Sequence, residues 1–261
     1  MKVIDLNKQV NVKFTLFPDN QPHVNIQDVV EGDEVYVKCS ILRSQTVIEL
    51  LQVSDALDSV FATKAVLEIP YLMGARFDRL MQPGDSFDLR VIAKLINSCG
   101  FKKVILHDVH SDVATALINN SVNVSNQALV RQYNRPDSIL ICPDAGAVKK
   151  VSKYLDWNKN LVDVVYVNKT RDLSNGNLTL NVLEPEKCEG RNCVIIDDLC
   201  DGGGTFLGTA SQIKPASLTL IVTHGIFSKG WKVFEGVFDE IITSDSYCRS
   251  YDSGIVKVVN L

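Results

Sequence analysis

The chain has 261 residues, enough to bury one large core or two modest ones, and its 27 basic and 31 acidic residues leave a formal charge of −4 without the basic excess of a nucleic-acid binder. Seven cysteines, an odd number with no C-x-x-C spacing, exclude a disulfide framework and a zinc site and suit a reducing cytoplasm. No apolar run nears membrane-spanning length and the first residues lack a signal-peptide core, so the expectation is a soluble cytoplasmic protein with neither membrane nor nucleic acid as partner.

In chain order, residues 11–17 and 34–39 read as strands, and 46–61 as a helix, because Val47, Leu50, Leu51, Ala56, Leu57, Val60 and Phe61 fall on or near one side. Strand 65–69, helix 87–97, strand 104–106 and short helix 112–118 follow. The rhythm then repeats with strand 138–142, helix 145–154, strand 162–167, strand 193–196, helix 205–212 and strand 218–222. Strands separated by helices predict an α/β protein with largely parallel sheets flanked by helices. The polar, asparagine-bearing stretch 121–136 is the expected hinge, dividing the chain into domains 1–125 and 126–261.

The densest chemistry lies in 193–206, read C-V-I-I-D-D-L-C-D-G-G-G-T-F. A short buried strand leads to Asp197 and Asp198 at its end, and Gly202, Gly203 and Gly204 allow a tight turn before Thr205 opens a helix. Backbone N–H groups of such a turn suit a phosphate, and adjacent carboxylates suit vicinal sugar hydroxyls or a magnesium ion. There is no G-K-[ST] of a Walker loop, and Leu207 falls where G-x-G-x-x-G needs its last glycine.

This stretch resembles the phosphoribosyl-diphosphate loop of type I phosphoribosyltransferases and ribose-phosphate diphosphokinases, whose pattern is D-D, two residues, D-T-G-G-T, with Gly202 here in place of the threonine. Four more stretches extend the resemblance to the diphosphokinases. Phe17-Pro18-Asp19-Asn20-Gln21, by itself a turn, is similar to their F-P/S-D-G-E, which reaches a neighbouring subunit's ATP; Phe17 and Asp19 match. The P-Y-L-M-G-A-R-F-D-R of 70–79 is similar to their nucleotide motif, with Phe77 for glutamine and with Arg76, Asp78 and Arg79 retained. His110 and Asp108 match a D-L-H stretch. His107 reads as structural, and His224, though it lies in a matching T-H-G-x-x-S, receives no catalytic role. Asp144 alone reads as a helix cap, and Lys169 with Arg171 as a solvated loop; in the family, S-P-D-x-G precedes a mobile loop bearing K-x-R.

The resemblance implies two tandem phosphoribosyltransferase-like domains, with the family's first strand–helix unit and final helix expected to be missing, and a homodimer or higher homo-oligomer. It implies ATP-dependent diphosphate transfer to ribose 5-phosphate, with AMP released. Asp197 and Asp198 hold the ribose, and Asp201 with Gly202, Gly203, Gly204 and Thr205 holds the 5-phosphate. Phe17, Asp19, Arg76, Asp78, Arg79 and His110 bind ATP, His110 and Asp144 hold Mg2+, and Lys169, Arg171 and His110 carry catalysis. The glycine at 202 keeps open an extended ribosyl substrate such as ADP-ribose, tied to nucleotide or NAD metabolism. A phosphoribosyltransferase and a non-catalytic regulatory relative are the remaining alternatives.

Overall fold

The computed structural model describes residues 1–171 and 178–261, with the backbone alone for Thr170, Arg171 and Leu178. Its contacts divide the chain into two compact units, Met1–Ser125 and Asn126–Leu261.

The first unit holds β1 (Lys2–Asp5), β2 (Val12–Leu16), β3 (Pro22–Ile26), β4 (Glu34–Lys38), α1 (Ser44–Ser59), β5 (Thr63–Ile69), α2 (Asp88–Ser98), β6 (Lys103–His107), α3 (Val113–Leu117) and β7 (Ser121–Val124). Its sheet is entirely parallel in the order β1-β4-β5-β6-β7, and β2 and β3 form a separate antiparallel hairpin. Right-handed crossovers between strands added in one direction put the helices on one face. There Ile4, Val35, Val37, Leu67, Ile69, Val104 and Leu106 pack against Val47, Leu50, Val53, Leu89, Ile92 and Ala114. The opposite face carries Tyr36, Lys38, Glu68 and His107, joined around one carboxylate. The Tyr36 hydroxyl donates to Glu68, the His107 Nε2 lies 2.9 Å from Glu68 Oε1, and the Lys38 ammonium 3.4 Å from the same oxygen.

The second unit holds α4 (Gln127–Val130), β8 (Ser138–Cys142), α5 (Val148–Trp157), β9 (Leu161–Arg171), β10 (Leu178–Val182), β11 (Asn192–Cys200), α6 (Gly204–Ala210), β12 (Ser217–Gly225), β13 (Glu240–Ser244) and β14 (Val256–Val259). The order is β10-β9-β8-β11-β12-β13-β14, parallel except for β10 against β9. Here both faces are covered: Ile139, Ile195, Leu220 and Ile241 meet Phe206 and Phe234 on one, and Leu140, Val194, Ile221 and Ile242 meet Tyr133 and Tyr154 on the other. Two-sided burial is why β8 and β12 are buried at every position and carry largely apolar residues without the alternation of a half-exposed strand.

The structure confirms the α/β class with two largely parallel sheets and revises several boundaries. The stretch expected as a hinge contains β7 and α4, because Ser121–Val124 completes the first sheet beside β6. A strand, β1, stands ahead of the first one expected, and the hairpin follows it with no intervening helix. Among the described residues no helix is long and apolar enough to cross a membrane.

Candidate active site

In the second unit the parallel strands β8, β9, β11 and β12 all end on one edge of the sheet, the edge where open α/β sheets take ligands. Asp197 and Asp198 lie within β11 rather than after it, because β11 stays paired with β12 as far as Cys200 opposite Gly225. The Asp198 N–H donates to Asp197 Oδ1 at 2.8 Å, and Asp198 is 7% exposed. Burial, then the charge and hydrogen bonding of Asp198 and the charge of Asp144, raise the Asp197 carboxyl well above the usual carboxylate range.

Asp144 follows β8 and closes the turn ahead of α5 instead of capping the helix itself, whose N-cap is Ala147: its Oδ1 accepts the N–H groups of Gly146 (2.9 Å) and Ala147 (3.1 Å). Its other oxygen faces Lys169, with Nζ 3.5 Å from Oδ2 and both side chains about a third exposed. Lys169 sits within β9, opposite Leu180, and not in a loop; the antiparallel partner β10 carries the strand on to Arg171. The Arg171 side chain lies outside the described residues, as does the segment 172–177. One sheet edge thus brings together Asp144, Lys169, Asp197 and Asp198 from three strands.

The glycine turn follows at once. Asp201 and Thr205 are half-buried beside it. Gly203 has φ 75°, and a Cβ there would fall 2.3 Å from the Phe234 ring, so the position admits no side chain on either count. At Gly202 an added Cβ would meet the stem of Lys229, with Cε at 3.3 Å, whereas at Gly204 it would meet nothing within 4 Å. His224, on β12, is buried, with Nδ1 2.9 Å from the Ser246 hydroxyl.

In the first unit, the loops after β5 and β6 meet. Asp78 is buried, and Arg79 donates to it from Nε at 2.8 Å and from Nη2 at 3.4 Å. Arg79's hydrogen bond, with the positive charges of Arg79 and His110 adding to it, holds Asp78 below the usual carboxylate range. Asp108 takes a left-handed backbone, φ 39°, as the chain turns towards the exposed His110. Arg76 is exposed on the first of these loops. Phe17 and Asp19 lie apart from them, exposed at the hairpin tip, where Asp19 Oδ1 accepts the Gln21 N–H at 3.1 Å. Asn20 adopts φ 66° there, a conformation asparagine tolerates better than most residues, which explains how it replaces a glycine.

Among the described residues no three His, Cys, Asp or Glu side chains form a ready-made metal cage. Magnesium does not need one. It binds through one or two carboxylates together with substrate phosphates and water, and the oxygen donors Asp144, Asp197 and Asp198 fit that demand. Sequence reasoning missed Lys229 and Phe234, which reach the turn from a segment 24 or more residues beyond it that carries no motif signal of its own.

Residues 5–100 match the family described as the N-terminal domain of ribose phosphate pyrophosphokinase, and residues 113–235 the phosphoribosyl transferase domain. A ribose-phosphate pyrophosphokinase of Hyphomonas neptunium is 28% identical over 248 residues, covering 88% of this chain and 77% of that protein. One of Wolinella succinogenes is 26% identical over 258 residues, covering 94% and 82%. The solved phosphoribosylpyrophosphate synthetase of Mycobacterium smegmatis has the same fold, with a TM-score of 0.82 at 22% identity over 95% of this chain and 85% of its own. With both domain matches in order along one two-unit α/β chain, the protein belongs to the ribose-phosphate pyrophosphokinase family.

Proposed function

We propose that the protein transfers the β,γ-diphosphate of ATP to the anomeric hydroxyl of ribose 5-phosphate and releases AMP. The observation that carries this reading is the meeting of Asp144, Lys169, Asp197 and Asp198 at one sheet edge beside a glycine turn. Asp197 and Asp198 grip the vicinal ribose hydroxyls, the raised Asp197 carboxyl being suited to donate a hydrogen bond to one of them. Asp201 and the turn from Gly202 to Thr205 hold the 5-phosphate. In the first unit Arg76, Asp78 and Arg79 hold the nucleotide, His110 meets its phosphates, and Phe17 with Asp19 serves the ATP of a second copy.

Magnesium bound with ATP would draw charge from the phosphate oxygens, and Asp144 and His110 are the residues that would hold it. The anomeric oxygen attacks the β-phosphorus, the bond from that phosphorus to the bridging α-phosphate oxygen breaks, and the hydroxyl proton passes to solvent. Lys169 and Arg171 neutralise the charge spread over the transferring group, so positioning and electrostatics supply the rate. No covalent enzyme intermediate is needed. Incubation with magnesium, ATP and ribose 5-phosphate, read by mass spectrometry, tests the reading: equal amounts of AMP and a diphosphorylated ribosyl product are expected. Intact ATP beside every ribosyl phosphate tried sinks it and leaves a binding protein.

A further inference from the structure

The turn that this reading assigns to the sugar's 5-phosphate contains a lysine stem that no motif predicts. The methylenes of Lys229 pack beside the place where a Cβ would stand on Gly202, with Cε at 3.3 Å, Cδ at 3.5 Å and Cγ at 3.6 Å. The Lys229 stem therefore walls the side of Gly202 on which a side chain would grow, and a Cβ there would push its Cε back by a few tenths of an ångström. The lysine is held there by its backbone: the N–H groups of Ile226 and Phe227 donate to Cys200 O at 2.9 and 3.1 Å, and that of Ser228 to Asp201 O at 3.2 Å. The segment 226–228, just ahead of Lys229, is thus laced to the start of the turn. Lys229 is exposed, and among the described residues no carboxylate pairs with its ammonium.

We infer that Lys229 is a specificity-determining residue that binds the phosphate ester on O5 of the ribosyl substrate, taking the place of a side chain at position 202. An unpaired ammonium on a four-carbon stem reaches past the backbone donors of the turn and offers a full charge to phosphate oxygens. That chemistry serves a phosphate monoester and equally the first phosphate of a diphosphate ester. The inference rests on the assignment of the turn to the sugar phosphate, but not on turnover.

The test is calorimetric binding without ATP, using ribose 5-phosphate, ADP-ribose and unphosphorylated ribose, on the wild type, Lys229→Met and Lys229→Arg. Methionine keeps the packing over Gly202 and removes the charge; arginine restores the charge. Lys229→Met is expected to weaken a phosphorylated ligand about tenfold, the scale of one charge-assisted contact, with arginine recovering most of the loss and ATP affinity unchanged. Weakening of ribose 5-phosphate identifies the monoester as the ligand, weakening of ADP-ribose the extended ester, and either supports the inference. Equal affinities of methionine variant and wild type for both overturn it, even if AMP is formed. A charge-dependent affinity without AMP formation leaves it standing while the proposed reaction falls, and a wild type that binds neither ligand overturns both.

Discussion

At the scale of single residues the candidate site is a matter of charge placed beside charge. Asp144 lies between two backbone N–H groups and Lys169, and its own charge adds to the burial and the neighbouring Asp198 that raise Asp197. The Lys169 ammonium is thus poised on a carboxylate. Lys169→Ala is expected to lower the rate of AMP formation by about two to three orders of magnitude, the range for a charge that stabilises only the transition state, with ribose 5-phosphate affinity nearly unchanged. A variant of wild-type turnover removes Lys169 from the reaction. Gly203 depends on shape instead. An alanine there takes an unfavoured left-handed backbone and meets the Phe234 ring, so Gly203→Ala is expected to cost at least about 2 kcal/mol of stability in urea unfolding, and a melt identical to wild type would contradict the packing.

At the scale of elements, pairing decides what local pattern leaves open. The sequence places Lys169 in a loop, because 168–171 is polar; the antiparallel partner β10 makes it strand and aims it along the sheet edge. Across β4, β5 and β6, parallel register brings Lys38, Glu68 and His107 to one side of the first sheet, a meeting that no short window of sequence contains. Burial pushes the Glu68 carboxyl up, but hydrogen bonds from His107 and Tyr36 and the charges of Lys38 and His107 outweigh it and bring the group from 4.5 to about 2. A carboxyl depressed in the folded state stabilises fully above its unfolded value. Below about pH 4.5 the unfolded chain takes up the proton first, and the stabilisation, on the order of 3 kcal/mol, drains away towards pH 2. Glu68→Gln is expected to be less stable than wild type at pH 7, with the gap narrowing as pH falls from 4.5; a gap independent of pH would show that the carboxylate charge is not what stabilises this face.

At the scale of the whole molecule, the two units differ in how their sheets are covered: the helices of the first line one face, those of the second both. The proposed division of labour gives ATP to the first and the sugar phosphate to the second. Hydrogen exchange is expected to show ATP slowing amides of 70–79 and 108–111, and ribose 5-phosphate slowing those of 197–205; the reverse pattern would reject the assignment. Sequence by itself determined the α/β class, the strands with largely apolar runs such as Ser138–Cys142, and the acidic glycine-turn motif, because two-sided burial and tight turns demand particular residue types locally. Only the tertiary structure decided the strands β7, β10, β13 and β14, the ion pair of Asp144 with Lys169, and the lysine and phenylalanine packed on Gly202 and Gly203. Those depend on strand order and on contacts between distant segments, which cost chain entropy to form and leave no periodic trace in the residues that make them.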